Sequence, residues 1–221
     1  LAAGFCWWAS MKDELRKTTV ILYDLEPEVE TAYAKLHDAF GVLSSCSRTW
    51  HIEARGEVRD PKYHAGASAV VKRKQVRVTT GAPPLVKTNV KVPLLPVGRQ
   101  VLAFMPDRLL VFESDAVGAV SYSTLHLDVA EVRSVEEGAV PEDATVVGRT
   151  WRYVNKKGGP DRRFKDNREI PVCAYEQIHL SSSTGLNEVI QVSRRGVGAA
   201  LAEAISSLQG LRTEENATPA V

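Results

Sequence analysis

The chain has 221 residues, a formal net charge of +1, 44% hydrophobic residues and 25% charged residues. This composition is ordinary for a globular protein that buries a core, and it excludes a chain that is disordered throughout. The three cysteines lie far apart and form no CxxC pair. They therefore exclude a zinc ribbon or a disulfide framework, and they favour a reducing compartment.

The first residues, LAAGFCWW, are apolar and aromatic, and basic residues follow at Lys12, Arg16 and Lys17. Because the chain starts with Leu, we expect a fragment or a processed product. Two interpretations stay open. The residues are either the end of a transmembrane helix, with Trp7 and Trp8 at the interface and a tether upstream of residue 1, or an apolar lead-in that packs on the domain. Nothing later in the sequence is long and apolar enough to span a bilayer.

The next elements are a strand in TTVILY and an amphipathic helix that begins at Pro27. Proline at the first helical position and the acidic Glu28 and Glu30 are typical of a helix first turn. Apolar residues then recur at intervals of three and four, which predicts one buried helix face running to about Ser44 or Cys46. These residues are Val29, Tyr33, Leu36, Phe40 and Leu43.

After residue 48 the pattern changes to the alternation of β-strands. SAVVKRKQVRVTT predicts a strand, whereas GAPPLVKTNVKVPLLPVG holds four prolines and predicts an edge or an extended connection. The following antiparallel strands are RQVLAFMP, RLLVFES, AVGAVSYSTLHLDVAEV, ATVVGRTWRYV, VCAYEQIHLSS and LNEVIQVS. Ser183-Thr184-Gly185 predicts a hairpin turn between the last two strands. A final helix is predicted from the apolar face Val197, Leu201, Ala204, Ile205, Leu208 and Leu211.

These elements predict an α+β fold in which an N-terminal helical segment precedes an antiparallel β-barrel or sandwich of about seven strands, closed by a C-terminal helix. The expected divisions are an N-terminal part at 1–60, a β domain with its helix at 61–213 and a tail at 214–221. RQVLAFMPDRLLVFES and GVGAALAEAISSL, within residues 68–212, resemble the pleckstrin-homology and GRAM-like barrels. TWRYVNKKGGPDRRFKDNR also resembles bacterial proteins without an assigned activity. The barrel resemblance implies binding of phosphoinositides, peptides or protein surfaces without catalysis, and we transfer no site residue from it.

Charge is segregated along the chain. Residues 61–106 carry eight basic and no acidic side chains, and residues 107–148 carry two basic and nine acidic ones. Residues 149–171 carry eight basic and three acidic ones. Such blocks form either a basic face that attracts an anion or neighbouring segments that neutralise one another. The sequence leaves both arrangements open.

The candidate binding surface is the basic segment, Arg149–Arg168, in which cations and aromatic rings alternate. Guanidinium groups bind phosphate or carboxylate oxygens in a forked geometry, and lysines act as point charges. Its predicted contact residues are Arg149, Trp151, Arg152, Tyr153, Lys156, Lys157, Arg162, Arg163, Phe164, Lys165 and Arg168. A secondary basic surface is predicted at Lys72, Arg73, Lys74 and Arg77. The competing interpretation places the three rings in the core and pairs the cations with acids in 128–143.

The function predicted from this pattern is a non-enzymatic interaction module for an anionic partner. That partner is expected to be acidic lipid headgroups or an acidic protein surface, contacted by a cytoplasmic, membrane-proximal protein. The alternatives are nucleic-acid binding, in which the rings stack on bases, and an unrecognised hydrolase.

Signals for catalysis and cofactors are weak. No catalytic residue, metal ligand or cofactor is predicted. RRGVGAAL has Leu201 at the third glycine position of the dinucleotide-binding pattern. His126, Asp128 and His179 would form a small polar cluster only if their strands are neighbours.

Overall fold

The computed structural model describes residues 18–57, 69–114 and 116–217 of the chain. Within these ranges the fold is mixed α+β, with two helices and thirteen strands that pair mostly antiparallel. The apolar lead-in and the predicted boundary at residue 60 lie outside the described residues. The elements before and after that boundary nevertheless contribute to the same hydrophobic core.

The strands form three sheets. The six-stranded sheet contains β2 (Thr49–Glu57), β3 (Ala69–Gln75), β10 (Leu125–Val135), β11 (Thr145–Trp151), β12 (Glu169–Ser182) and β13 (Asn187–Val192). The five-stranded sheet contains β4 (Thr79–Gly81), β6 (Val92–Val97), β7 (Gln100–Phe104), β8 (Arg108–Phe112) and β9 (Val117–Ser121). Strands β1 (Thr19–Ile21) and β5 (Val86–Thr88) form a parallel pair.

The order of strands in each sheet is open-ended. The six-stranded sheet runs β10-β12-β13-β2-β3, with β11 also paired to β12, and the five-stranded sheet runs β4-β6-β7-β8-β9. The sheets are therefore not closed into a barrel. The α+β class and the mostly antiparallel pairing were predicted correctly, whereas the barrel was wrong and the described strands number thirteen instead of about seven.

The two helices are α1 (Pro27–Ser44) and α2 (Val197–Ala217). Proline occupies the first turn of α1 with Glu28 and Glu30, and Tyr33, Leu36 and Phe40 lie on its buried face. The apolar face of α2 is buried from Val197 through Leu208. In the described part of the chain, neither helix has the length and apolar character needed to cross a bilayer.

The main core lies between the helices and one face of each large sheet. Its buried side chains come from α1, α2, β6 to β8, β12 and β13. Phe40 of α1 meets Phe104 of β7 with ring centroids 4.7 Å apart. The opposite face of the five-stranded sheet has a second apolar cluster, which includes Met105 and Phe112 and packs against Ile21 and Tyr23. Both faces of this sheet are therefore covered in part.

The proline-rich stretch forms an internal strand, contrary to the sequence prediction. Strand β6 lies between β4 and β7, although it contains Pro93 and Pro96. Strand β4 pairs only with residues 92–94 of β6, and β7 pairs only with residues 94–97. Each proline therefore has a neighbouring strand on one side only, and its missing N–H interrupts no two-sided ladder.

The stretch AVGAVSYSTLHLDVAEV is two strands, β9 and β10, and not one. A 3-10 turn at Tyr122–Thr124 separates them and carries the chain from the five-stranded to the six-stranded sheet. The Tyr122 hydroxyl is buried and donates to the Met105 carbonyl at 2.7 Å. Gln209 of α2 donates to the carbonyls of Tyr122 and Leu125, both at 2.8 Å. These bonds satisfy backbone groups that a continuous ladder would otherwise pair.

The glycine pair in RRGVGAAL serves the packing of α2. The amides of Gly196 and Gly198 at the start of the helix donate to the buried carboxylate of Glu176 on β12. An anion at a helix N-terminus satisfies free N–H groups and interacts favourably with the helix dipole. A Cβ atom at position 198 would lie 2.8 Å from Val129 and 3.0 Å from Glu176. Helix α2 and the six-stranded sheet therefore lie so close together at position 198 that glycine fits there and a larger side chain would clash.

Two glycine substitutions in α2 test this packing because they should have opposite effects. Gly198→Ala should destabilise the protein by about 1–3 kcal/mol, because the added methyl group overpacks the contact with Val129 and Glu176. Gly210→Ala, in the same helix, meets no atom within 4 Å. It should stabilise the protein by about 0.5–1 kcal/mol, because alanine loses less conformational freedom in a helix. Urea unfolding of both variants measures the difference, and equal stabilities would contradict the described contact.

Candidate functional site: the basic segment

The basic segment connects β11 to β12 at one end of the six-stranded sheet. Thr150 pairs with Ile170, and Trp151 pairs with Glu169, at the end of the β11–β12 ladder. The Arg152 amide then donates to the Arg168 carbonyl at 3.0 Å. The segment is therefore a long hairpin loop whose base is fixed by strand pairing.

The Asn155 side chain holds the turn at the tip of the loop. Its Oδ1 accepts from the Lys157 amide at 2.8 Å and from the Gly159 amide at 3.1 Å. Gly158 between them has φ +83°, a left-handed conformation that favours glycine. The backbone hydrogen bonds between Asn155 and Gly158 or Gly159 close this turn, which holds the backbone of both lysines at its tip.

The Asn167 side chain fixes the return of the loop. Its Oδ1 accepts from the Tyr153 amide at 3.0 Å, and its Nδ2 donates to the Tyr153 carbonyl at 2.7 Å. One amide side chain therefore replaces a strand neighbour for Tyr153. Several backbone groups of the loop are therefore satisfied by hydrogen bonds within the loop itself.

The aromatic residues of the segment pack mainly within the loop. Tyr153 and Phe164 stack with centroids 4.0 Å apart and an interplanar angle of 14°. Both rings and Trp151 are half-buried, and Val154 is buried. The sequence left open whether these three rings lie in the core or on an exposed contact surface. They are half-buried, which is intermediate between the two.

Arg163 is paired within the loop. The Asp161 carboxylate, only 6% exposed, accepts from the backbone amide of Arg163 and from its guanidinium. The closest contact joins Arg163 Nη2 and Asp161 Oδ2 at 2.5 Å. A buried carboxylate requires such charge-assisted hydrogen bonds, so the main role of Arg163 is to hold the loop.

Arg152 and Arg168 lie beside Glu137, which belongs to the acidic block of the sequence. Arg152 Nε is 3.8 Å from Glu137 Oε2, and Arg168 Nη2 donates to the Glu137 carbonyl at 3.4 Å. Both side chains are partly or largely exposed, and exposed ion pairs of this kind contribute about 0–1 kcal/mol. Glu137 therefore contributes little to the stability of the fold. Its negative charge mainly lowers the positive electrostatic potential around Arg152 and Arg168.

Five cations of the segment have exposed side chains that form neither an ion pair nor a hydrogen bond with any residue in the described ranges. They are Arg149, Lys156, Lys157, Arg162 and Lys165. Lys156 and Lys157 lie at the turn that Asn155 holds, and Arg162 and Lys165 flank Arg163 and Phe164. The segment thus contains structural cations at Arg152 and Arg163 and a second group that faces solvent. We call Lys156, Lys157, Arg162 and Lys165 the free cation group.

Two of the four residues in the secondary basic surface are paired with carboxylates. Lys72 pairs with Glu53 at 2.8 Å, and this hydrogen bond holds the pKa of Glu53 below its usual value. Arg73 Nη2 contacts both carboxylate oxygens of Glu136 at 2.7 Å. Lys74 and Arg77 are exposed and form no ion pair with a described residue. Half of the predicted secondary surface is therefore capped by carboxylates.

Glu136 is the centre of a cluster on the outer face of the six-stranded sheet. Arg73 lies 4.4 Å above the Trp50 ring, and the Tyr175 hydroxyl donates to Glu136 Oε2 at 2.7 Å. Burial and the Glu136 carboxylate raise the pKa of Tyr175. The connection 136–144 crosses β12 here, because β10 and β11 pair with opposite edges of that strand. The acidic block is thereby placed next to both basic stretches.

The polar residues considered for catalysis are only partly brought together. Asp128 lies opposite His179 in the β10–β12 ladder, but His126 lies opposite Ser181. His179 Nε2 bonds Asn187 Oδ1 at 2.7 Å. Among the residues that the structure describes, no group of three or more His, Cys, Asp or Glu could hold a metal ion.

The residues that organise the loop were missed at the level of sequence. Asn155, Asp161 and Asn167 were not assigned roles, although each makes several of the hydrogen bonds that shape the segment. An asparagine before Lys-Lys-Gly-Gly was an available signal, since asparagine side chains often bond backbone amides two residues on.

Comparisons with protein-family models, with curated proteins and with solved structures gave no match for this chain. The resemblance to pleckstrin-homology and GRAM-like domains therefore stays a prediction.

The role of Asn167 can be tested by proteolysis of the loop. Asn167→Ala removes three hydrogen bonds to Tyr153 and Asp161. Such bonds contribute about 0.5–1.5 kcal/mol each, so trypsin cleavage after Lys156 or Lys157 should become roughly tenfold faster or more. The control is Asp166→Ala, an exposed neighbour without a hydrogen bond to a described residue. Equal cleavage of both variants and the wild type would show that Asn167 does not hold the loop.

Proposed function

We propose that the protein is a non-enzymatic interaction module that contacts an anionic surface through the free cation group. The observation that carries this proposal is the division of cations in the basic segment. Arg163 is bound by a buried carboxylate, whereas Lys156, Lys157, Arg162 and Lys165 face solvent on an internally bonded loop. Cations that serve only the fold would be expected to have acidic neighbours, as Arg73 and Arg163 have.

An ordered loop favours binding because its backbone loses little conformational freedom on contact. Three of the four free cations lie in or next to turns whose amides are already bonded to Asn155 and Asp161. Preorganisation of this kind lowers the entropic cost of association. Lysine and arginine side chains remain adaptable, which suits a partner whose negative charges are not in fixed positions, such as a lipid surface.

Acidic lipid headgroups are the partner that these features favour. Nucleic-acid binding by base stacking requires accessible aromatic faces, and Tyr153 and Phe164 stack on each other instead. Anionic headgroups require only positive charge near the surface, at about 1 kcal/mol for each lysine or arginine. An acidic protein surface remains the second partner class. A location at the cytoplasmic face of a membrane would follow from the first.

The proposed contact residues do not come from the pleckstrin-homology resemblance. They lie in the basic segment, which is longer than the corresponding connection of a minimal domain of that class. The proposal also does not use the secondary basic surface as a whole, since Lys72 and Arg73 are paired with carboxylates.

The test is flotation with phosphatidylcholine vesicles that contain or lack phosphatidylserine. The protein should float only with the anionic vesicles, and binding should fall as salt is raised. The test variant replaces the free cation group with glutamine: Lys156→Gln, Lys157→Gln, Arg162→Gln and Lys165→Gln. Loss of four cations at about 1 kcal/mol each should lower the partition coefficient by about two to three orders of magnitude.

A matched control removes the same charge from other exposed positions that form no ion pair with a described residue. It carries Lys35→Gln, Lys87→Gln, Lys91→Gln and Arg99→Gln. The proposal requires the control to bind more tightly than the test variant at equal net charge. Equal binding of the two variants would mean that only total charge matters, and a preference for oligonucleotides over vesicles would favour the nucleic-acid alternative.

A further inference from the structure

A cleft lies between the free edge of β9 and the hairpin that joins β12 to β13. It has a volume of about 400 Å³, within the range of ligand sites. One wall is formed by the consecutive residues Ala116–Val120, and the other by Thr184–Glu188. Consecutive residues of a strand point to alternating faces, so a wall that includes all of them exposes the backbone edge of the strand.

The hydrogen-bond pattern of β9 shows which backbone groups line that edge. The Glu113 amide donates to the Ala116 carbonyl at 2.9 Å and closes the β8–β9 hairpin. Because bonded and non-bonded pairs alternate in an antiparallel ladder, Gly118 and Val120 bond to β8 whereas Val117 and Ala119 point away from it. In the described part of the chain β8 is the only strand paired with β9. The N–H and C=O groups of Val117 and Ala119 therefore face the cleft edge without a strand partner.

Strand β9 lacks the features that usually protect an edge. Its sequence, VGAVS, has no charged residue, no proline and no register shift, and Val117 is 54% exposed. Among the other described edge strands, β3 carries Lys72 to Lys74, β10 carries several charged residues, and β11 has a register shift. Charges and bulges discourage pairing with another chain. Of the described edge strands longer than three residues, β9 is therefore the one open to strand addition.

The polar groups of the cleft define the charge of its occupant. Glu113 and Glu188 both line it, and neither forms an ion pair with a described lysine or arginine. Small side chains at Ala116, Gly118 and Ala119 leave room beside the edge. The cleft thus combines an unpaired strand edge, small side chains beside it and two carboxylates.

A buried histidine positions one of these carboxylates. His51 on β2 is only 7% exposed, and its Nε2 lies 2.6 Å from Glu188 Oε2. Because an ionised carboxylate only accepts hydrogen bonds, the ring nitrogen is the donor. Nδ1 of the same ring is buried without a hydrogen-bond partner. The contact with Glu188 is therefore the one side-chain hydrogen bond that this ring makes with a described residue.

We propose that this cleft binds an extended peptide segment of a partner protein, which adds to β9 as a further strand and places a lysine or arginine side chain beside Glu113 and Glu188. Strand addition supplies affinity through main-chain hydrogen bonds and specificity through side-chain pockets. The occupant is basic because charge complementarity with two carboxylates favours it. This site is separate from the basic segment and does not depend on the function proposed for that segment.

The test uses a blocked peptide, acetyl-Thr-Val-Thr-Lys-Thr-Val-Thr-amide, added to the protein labelled with nitrogen-15. The amide signals of Val117 and Ala119 should shift and their protons should become protected from exchange, because they donate to the new strand. A peptide with glutamate in place of lysine should bind at least tenfold more weakly. Absence of shifts in β9 at millimolar peptide, or equal binding of both peptides, would overturn the proposal.

Two sets of variants separate the edge from the carboxylates. Ala119→Pro removes the outward N–H and should abolish peptide binding. Proline is tolerated at an edge position whose N–H does not serve the ladder. Glu113→Gln with Glu188→Gln leaves the backbone unchanged and should remove the preference for lysine over glutamate. Unchanged preference in this double variant would overturn the assignment of the basic occupant, even if Ala119→Pro fails to fold.

Discussion

Most of the structure depends on the pairing of strand β12 with three other strands. This strand pairs with β10 along one edge and with β11 and β13 along the other, so three strands take their register from it. Side chains alternate between its two faces. Ile178 and Leu180 point into the main core, and Cys173 and Tyr175 point to the cluster on the outer face. A one-residue slip would exchange these two sets, so the apolar contacts on both faces fix the register.

The position of β12 also determines several of the hydrogen bonds and ion pairs that charged residues make within the fold. Glu176 points to the helix side and accepts from the first amides of α2, and Tyr175 points outward to Glu136. The connection 136–144 must cross β12 to reach the opposite edge, and this crossing delivers Glu136 to Arg73 and Glu137 to Arg152. Half-buried pairs such as Arg73–Glu136 require good geometry to offset desolvation, which the contacts with both carboxylate oxygens provide. The crossing therefore supplies the carboxylates that lie beside Arg73 and Arg152, whereas Arg163 is paired within its own loop.

Local signals in the sequence were sufficient for most elements but not for their arrangement. The helix start at Pro27, the turn at Ser183-Thr184-Gly185 and the apolar face of α2 follow from residue type and spacing. The internal position of β6 could not be predicted, because the offset between β4 and β7 that accommodates Pro93 and Pro96 is a property of the sheet. The ring stack of Tyr153 on Phe164 and the pairing of Arg73 with Glu136 depend likewise on contacts between distant residues. Block charges along a chain indicate that opposite charges can meet, but the topology determines which of them do.

The two candidate surfaces lie at opposite ends of β12. The basic segment ends at Arg168, immediately before the strand, and the cleft is bounded by the turn that follows Ser182. Fourteen residues at about 3.3 Å each separate the ends by roughly 45 Å. This distance is several times the Debye length of about 8 Å in physiological salt, so charge at one end has little effect at the other. A nearly neutral chain can therefore present a basic end and an acidic cleft together, because the free cation group and the two cleft carboxylates lie at opposite ends of one continuous strand. Net charge alone conceals this arrangement.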